Sequence, residues 1–595
     1  MLRKTLRRYL RPYAWLIAAV LLLKVLETAA ALLLPTLNAS IINRGVVTGD
    51  TGTIWRLGAQ MLAITALQGA AAVAGTYVAS RSAMGLGRDM RADIFGHVQR
   101  FNVEEISRFG APSLITRSTN DIQQVQSVVF MISSMMLMAP IMLVGGTVMA
   151  LRVDVPLSGL LVVLVPLLAA VVGLIASRLL PYFRIQQSRI DRVNLVMREQ
   201  IQGMRVIRAF VRSAQRREVF EEANSRLTAT SWSIGKLMAL MFPVVQLIMN
   251  LASVAVIWFG GMRVDSGGMS IGDLTAYLNY ITQILFSVMI AVMLVSMLPR
   301  AQVAAGRFQE VMALQPSITA PEHPARLPEA PDGADQGEEE IRPQNASAFT
   351  GLRKGVEISH VDFSYVPDKP ILKDVSISAP KGQMIAVVGP TGSGKTTIMN
   401  LINRFYDVDA GSISFDGKDI RDYDLDSLRS KVGIVLQDSV LFSGTIRDNI
   451  RFGVPDASQE MVEAAAKATH IHDYIESLPD KYDTLIDDEQ NIFSTGQKQL
   501  ISIARTLMTD PQVLILDEAT SNVDTVTESK IQHAMEAIVA GRTSFVIAHR
   551  LKTILNADQI IVLKDGEVIE RGNHHELLKL GGFYSELYHN QFVFE

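Results

Sequence analysis

Gly389-Pro390-Thr391-Gly392-Ser393-Gly394-Lys395-Thr396 is the stretch on which the rest of the chain turns. It has the spacing G-x-x-x-x-G-K-T, with Thr397 beside it, and follows the apolar run Met384-Ile385-Ala386-Val387-Val388. Ile398-Met399-Asn400-Leu401-Ile402 after it reads as the opening of a helix. Strand, glycine loop and helix in that order form a phosphate-binding loop. Glycines let backbone N–H groups curl around an anion, and the helix N-terminus adds the positive end of its dipole. Lys395 can reach the β- and γ-phosphates, and the Thr396 hydroxyl can hold Mg²⁺. The sequence therefore predicts binding of a nucleoside triphosphate.

The chain around this loop is too long for one core, at 595 residues. It is 49% hydrophobic and 19% charged, and its apolar weight lies before residue 300. That distribution predicts a membrane half followed by a soluble half. A net charge of −3 gives no basic field for nucleic acid. With no Cys, disulfides, thiolate metal sites and cysteine nucleophiles are excluded. The first apolar stretch runs on as a full-length span, so it does not read as a cleavable signal peptide.

A bilayer core needs about 20 apolar residues per helix. Runs of that kind fall at 14–35, 57–80, 128–151, 155–177, 237–261 and 271–298. The short connectors between them hold few cations, namely Arg44, Arg56, Arg152 and Arg263. The N-terminus (Arg3, Lys4, Arg7, Arg8, Arg11) and the long connectors 81–127 and 178–236 are rich in Arg. The positive-inside bias then puts the N-terminus, both long connectors and the C-terminal half in the cytoplasm of a cell membrane. The long connectors carry helical periodicity and are expected to be span helices continuing past the bilayer. Gly110-Ala111-Pro112 and Gly203 are the expected bends, with short helices near 112–124 and 207–217. Lys24 and Glu27 stand three apart within the first span, where an unpaired ion costs about 2.5–3.5 kcal/mol, so they should pair, face other helices or line a wet cavity. Asn250, Asn279 and Gln283 are expected as inter-helix hydrogen bonds or polar points in a cavity.

Residues 316–353 are rich in Pro and carry the block Glu338-Glu339-Glu340, which predicts a flexible tether between a domain at 1–315 and one at 354–595. In the latter, strands alternate with helices, as in an α/β domain with a largely parallel sheet. Val513-Leu514-Ile515-Leu516 reads as a second buried strand ending in Asp517-Glu518. An Asp there can hold Mg²⁺ through water, and Glu518 is placed to polarise an attacking water. Phe493-Ser494-Thr495-Gly496-Gln497 lies between the two strands, and Val546-Ile547-Ala548-His549-Arg550 beyond them.

In that order these motifs resemble an ATP-binding-cassette transporter over essentially the whole chain. Six spans and one cassette are similar to a half-transporter of the exporter class (type IV fold). The fold implied is an all-α six-helix transmembrane domain with long cytoplasmic helix extensions, followed by an α/β P-loop cassette. The resemblance implies that Tyr365 stacks on adenine and that Gln437 is the glutamine-loop residue that touches Mg²⁺. It makes Glu518 and His549 catalytic, with His549 the switch histidine. Ser494, Thr495, Gly496 and Gln497 become the signature motif closing over ATP on the opposite cassette, and Asp524 the aspartate-loop residue across the dimer. The turns near 112–124 and 207–217 become coupling helices.

The family signature reads L-S-G-G-Q, whereas here Thr495 replaces a glycine that lets backbone N–H groups approach the γ-phosphate. Asp487 and Gln490 stand where members commonly carry Gly. Asp517, Glu518 and His549 are intact. That combination resembles one subunit of a heterodimeric exporter with one consensus and one degenerate ATP site. The reading expected is an ATP hydrolase that exports hydrophobic or amphipathic compounds, paired with a second half-transporter chain in the lipid bilayer. An importer of the siderophore type, a homodimeric exporter and a soluble cassette ATPase are the alternatives; the six spans argue against the last.

Overall fold

A computed structural model describes residues 2–295, 298–319, 321, 324–325, 354–437, 439–487, 493–517, 525–548 and 551–591. By its contacts the chain divides into two units. One comprises Met1–Arg100 with Phe109–Gln315, the other Phe101–Arg108 with Pro316–Glu595.

The first unit is helical. Among the described residues, six helices are long and apolar enough to cross a membrane: Leu2–Val46, Thr51–Val98, Ala111–Val153, Val155–Gln202, Ser213–Asp265 and Ile271–Val292. The protein is a multi-pass membrane protein. Three short connectors each end in a residue that caps the next helix, as orphan N–H groups at a helix start require. Asp50 accepts from Thr53 N at 3.1 Å, Asp154 from Leu157 N at 2.8 Å, and Ser270 Oγ from Asp273 N at 3.1 Å. Asp154 also receives Arg263 at 2.9 Å, and Asn43 donates to Ser270 Oγ while accepting from Gly272 N. Pro35, Pro166, Pro181 and Pro243 lie inside these helices, as membrane helices tolerate.

Lys24 and Glu27 pair with each other, Nζ to Oε2 at 2.8 Å, with Lys24 4% exposed. Among the described residues, Asn250 and Asn279 bond within their own helices and bridge to no other. Asn250 accepts from Gln246 on its own helix, and Asn279 donates to Thr275 O one turn back.

Both expected short helices are displaced. A short helix runs Val103–Phe109, ahead of 112–124, and a new helix starts at Ala111. Gly110, at φ +76°, makes the bend. Pro112 falls in the first turn of the next helix, where a missing N–H costs nothing. The second short helix is Met204–Ala209, after a break at Gly203, and Ser213 already opens the fifth long helix.

The second unit carries two main sheets. β1 (Val356–Phe363), β2 (Leu372–Ala379), β4 (Ala410–Phe415) and β5 (Lys418–Asp419) form an antiparallel sheet in the order β2-β1-β4-β5. β3 (Met384–Val388), β6 (Val432–Val435), β9 (Val513–Asp517), β10 (Thr543–Ile547), β11 (Gln559–Lys564) and β12 (Glu567–Gly572) form the other, in the order β12-β11-β3-β10-β9-β6. All pairs in it are parallel except β11 with β12. β7 (Gly444–Thr445) and β8 (Leu485–Ile486) make a small ribbon. The central strands are buried along nearly their whole length, which is why they read as unbroken apolar runs.

Part of the stretch expected as a tether lies on this unit. Ile318 is buried, and Ala325 exchanges backbone hydrogen bonds with Asp422 and Asp424 at 2.9 Å. The acidic block falls outside the described residues.

Candidate nucleotide site

Parallel pairing brings the chemistry to one edge of the six-stranded sheet. Val387 on β3 and Asp517 on β9 both stand opposite Ile547 on β10, and Val435 on β6 stands opposite Leu516. The four carboxyl ends therefore lead side by side into the glycine loop, the segment after Asp517, the segment after Ile547 and the segment holding Gln437. Ligands in open α/β sheets bind outside the carboxyl ends of strands. Glu518 directly follows Asp517 and His549 stands two residues past Ile547; both, with Asp524, lie outside the described residues.

The glycine loop has the backbone its sequence demands. Gly392 and Gly394 adopt φ +84° and +104°, the left-handed region in which a side chain is strained. A Cβ at Gly394 would also stand 2.6 Å from Leu372 Cδ2. Gly394 is the N-cap of the helix Lys395–Ile402, which is pinned to the core by Ile398, Met399, Leu401 and Ile402. Burying each such side chain contributes about 1.5–3 kcal/mol. Thr391 and Thr396 are exposed in and beside the loop, while Thr397 is buried.

Lys395 folds back over the loop and donates from Nζ to Gly389 O at 2.8 Å and to Pro390 O at 2.9 Å. Burial pushes its pKa below the ordinary lysine value, and the negative Asp517 opposes that shift. The ammonium is thus held, partly dehydrated, against two backbone carbonyls of the loop. Ser393 Oγ is buried and has no hydrogen-bond partner among the described residues. An unpaired hydroxyl under a glycine loop fits a site built for a phosphate oxygen.

Tyr365 lies beside the helix that leaves the loop. Its hydroxyl donates to Thr397 Oγ1 at 3.3 Å and accepts from Asn400 Nδ2 at 3.2 Å. Its ring packs edge-on against Phe363 and Tyr406, at 4.8 and 5.0 Å between centroids. Asn400 and Tyr406 escaped the sequence reading. Asn400 sits one helical turn after Thr397, which is the signal that could have found it; Tyr406, in a turn beyond the helix, offered none. Gln437 is exposed just past the end of β6.

Phe493 is buried, and Ser494 caps the helix Thr495–Met508. Ser494 Oγ accepts from Gln497 N at 3.2 Å, and Gln497 Oε1 accepts from Ser494 N at 2.8 Å, a complete capping box. Thr495 is the first helical residue and is exposed, whereas Gly496 is buried.

Two family models match the chain, the ABC transporter transmembrane region over residues 17–288 and the ABC transporter model over residues 372–521. An uncharacterised ABC transporter ATP-binding protein of Mycobacterium tuberculosis is 41% identical over 98% of this chain and 97% of its own length. A fatty acid ABC transporter ATP-binding/permease protein of the same species is 36% identical over 84% of this chain and 75% of its own. A putative multidrug export ATP-binding/permease protein of Bacillus subtilis is 34% identical, covering 98% of both. With a glycine loop opening a helix at the carboxyl edge of a parallel sheet and, among the described residues, six membrane-length helices ahead of it, this chain belongs to the ABC transporter family, as an exporter-type, ATP-binding protein that couples ATP hydrolysis to transport.

Proposed function

We propose that the chain is one half of a heterodimeric exporter of hydrophobic or amphipathic compounds, of drug or lipid type, working by alternating access in the cell membrane with both termini cytoplasmic. ATP draws two cassettes together, the cavity turns outward, and hydrolysis resets it. Glu518 polarises the attacking water and His549 contacts the γ-phosphate. Lys395 holds the β- and γ-phosphates, and Tyr365 stacks on adenine. Mg²⁺ fits the same site: the Thr396 hydroxyl, Gln437 and, through water, Asp517 would hold it beside the phosphates and neutralise their charge. The names carried by the M. tuberculosis and B. subtilis relatives support fatty-acid-like or drug-like cargo.

The observation that carries the heterodimer is Thr495. The capping box leaves the N–H groups at the front of the helix pointing forward, but a branched side chain stands exposed at its first position. A glycine there would let an anion approach; Thr495 obstructs it. In this reading the chain gives its glycine loop, Glu518 and His549 to the hydrolytic site, and its own signature to the partner's slow site. Phe210 and Val211, at the turn after the second short helix, are 73% and 86% exposed, which suits a surface awaiting another chain. Affinity purification should bring down a second, related chain with an intact signature. Recovery of this chain alone as an active dimer would establish the homodimer instead, a reading that the intact Ser494–Gln497 hydrogen bonds favour. Glu518→Gln should nearly abolish turnover while sparing ATP binding; normal turnover would remove Glu518 from the mechanism.

A further inference from the structure

The short helix Val103–Phe109 is preceded by Asn102, whose carbonyl accepts from Ile106 N at 3.1 Å. Glu105, in the third position, reaches back so that its Oε2 accepts from Asn102 N at 2.7 Å. That is one half of an ordinary capping box, a role that glutamine fills as well as glutamate. The second oxygen is engaged elsewhere. Glu105 Oε1 accepts from Ser317 N at 2.7 Å, across 212 positions of sequence. The side chain is buried, with Glu105 4% exposed. Burial alone raises its pKa, but the hydrogen bonds from Ser317 and Asn102 outweigh that and leave the carboxyl below the ordinary glutamate value.

Both partners are themselves anchored to the cassette. Asn102 Oδ1 accepts from Arg429 Nη2 at 3.3 Å, and the same nitrogen donates to Arg404 O at 3.1 Å. Arg404 in turn reaches Thr319 O, two residues past Ser317, at 3.5 Å. Ile318 is buried between these contacts, and the strand-like bridge of Ala325 to Tyr423 follows. In sequence, Asn102 follows the second long helix, and Ser317 follows the helix Leu298–Ala313, which comes after the sixth. One carboxylate thus ties together the two segments of unit 2 that come directly from membrane helices.

We infer that Glu105 is a positioning residue for coupling, clamping the short helix Val103–Phe109 and the start of the connecting segment into one body with the cassette. Cassette movement is then delivered to the second and sixth membrane helices together. This rests on the alternating-access reading above. A local cap alone would be served by glutamine; the clamp is not, because an amide has one carbonyl oxygen and turns an NH₂ group toward the other N–H.

The test uses the full chain with its partner in lipid nanodiscs. Thr48→Cys and Ser266→Cys place spin labels on two short connectors of a chain that has no Cys of its own. The distance between them is read before and after trapping with MgATP and vanadate, alongside steady-state hydrolysis. Glu105→Ala should hydrolyse ATP within about twofold of the parent, with unchanged KM, while the trapped shift in distance falls at least fivefold; Glu105→Gln should lie between. An undiminished shift in Glu105→Ala would overturn the inference. So would a parallel fall of hydrolysis and shift, since the carboxylate would then merely hold the cassette's fold. Absence of any shift in the parent would instead refute the alternating-access reading.

Discussion

Replacing Lys395 by methionine separates what the ammonium does for the fold from what it does for the nucleotide. Without ATP, Nζ makes two charge-assisted bonds to Gly389 O and Pro390 O. Bonds of that kind contribute roughly 1.5–3 kcal/mol each. Against them stands the dehydration of a buried ammonium, several kcal/mol per ion. The two nearly cancel, and methionine fills much the same volume. Lys395→Met should therefore shift the nucleotide-free unfolding temperature of the cassette by no more than about 4 °C, the equivalent of about 1 kcal/mol for a domain of this size. With MgATP the balance changes, because truncating one partner of a buried charge pair costs about 2–5 kcal/mol. The dissociation constant for MgATP should rise by about 30-fold or more. ATP at about 100 times the parent's dissociation constant stabilises by about 2.7 kcal/mol, or about 5–10 °C; the variant should lose most of that rise. Thermal unfolding of the solubilised transporter with and without MgATP, and a binding isotherm, read both quantities. Parent-like ATP binding would refute the role given to Lys395, and a nucleotide-free drop of 10 °C would show that the lysine is a structural member of the loop.

Tyr365→Ala should weaken ATP binding about tenfold, within the roughly 1–3 kcal/mol of a base–aromatic stack, whereas Tyr365→Phe, which loses only the contacts to Thr397 and Asn400, should stay within about twofold; equal losses would assign the effect to the hydroxyl. Lys24→Ala should sharply lower the yield of folded protein, since it leaves Glu27 buried and unpaired, at a cost of about 3–5 kcal/mol. Replacing both residues by Leu should restore the yield, and transport surviving in that double variant would identify the pair as purely structural. Thr495→Gly should cost the helix only a few tenths of a kcal/mol yet raise hydrolysis at the site that this signature covers; unchanged turnover per complex would count against the degenerate-site reading.

What the sequence disclosed and what it withheld follow from how each feature is encoded. The glycine loop needs left-handed backbone at Gly392 and Gly394, so its residue types are nearly dictated. Buried central strands and spans are continuous apolar runs, equally plain. The bend at Gly110 was visible too, but the short helix was expected on its far side, because Pro112 reads as a breaker when in fact it sits comfortably in a first helical turn. The contacts of Ser317, Ile318, Thr319 and Ala325 could not be read at all. They rest on buried Ile318, on Ala325 packed against the core, and on backbone groups that every residue carries, so composition points to a tether. Glu105 shows the same limit: its capping half is local and legible, while its bond to Ser317 spans 212 positions and leaves no periodic trace.

The helices Thr51–Val98 and Val155–Gln202 have 48 residues each, and Ser213–Asp265 has 53. At about 1.5 Å per residue the shorter two are about 72 Å long, and a bilayer core of about 30 Å leaves some 40 Å projecting beyond it. A rod of that kind is a lever. Rotating it by about 10° about a point in the bilayer sweeps its far end through about 7 Å, while side chains next to the pivot shift by only an ångström or so. Gearing of this sort turns small rearrangements of packing near the pivot into displacements of a side chain's width or more at the far end.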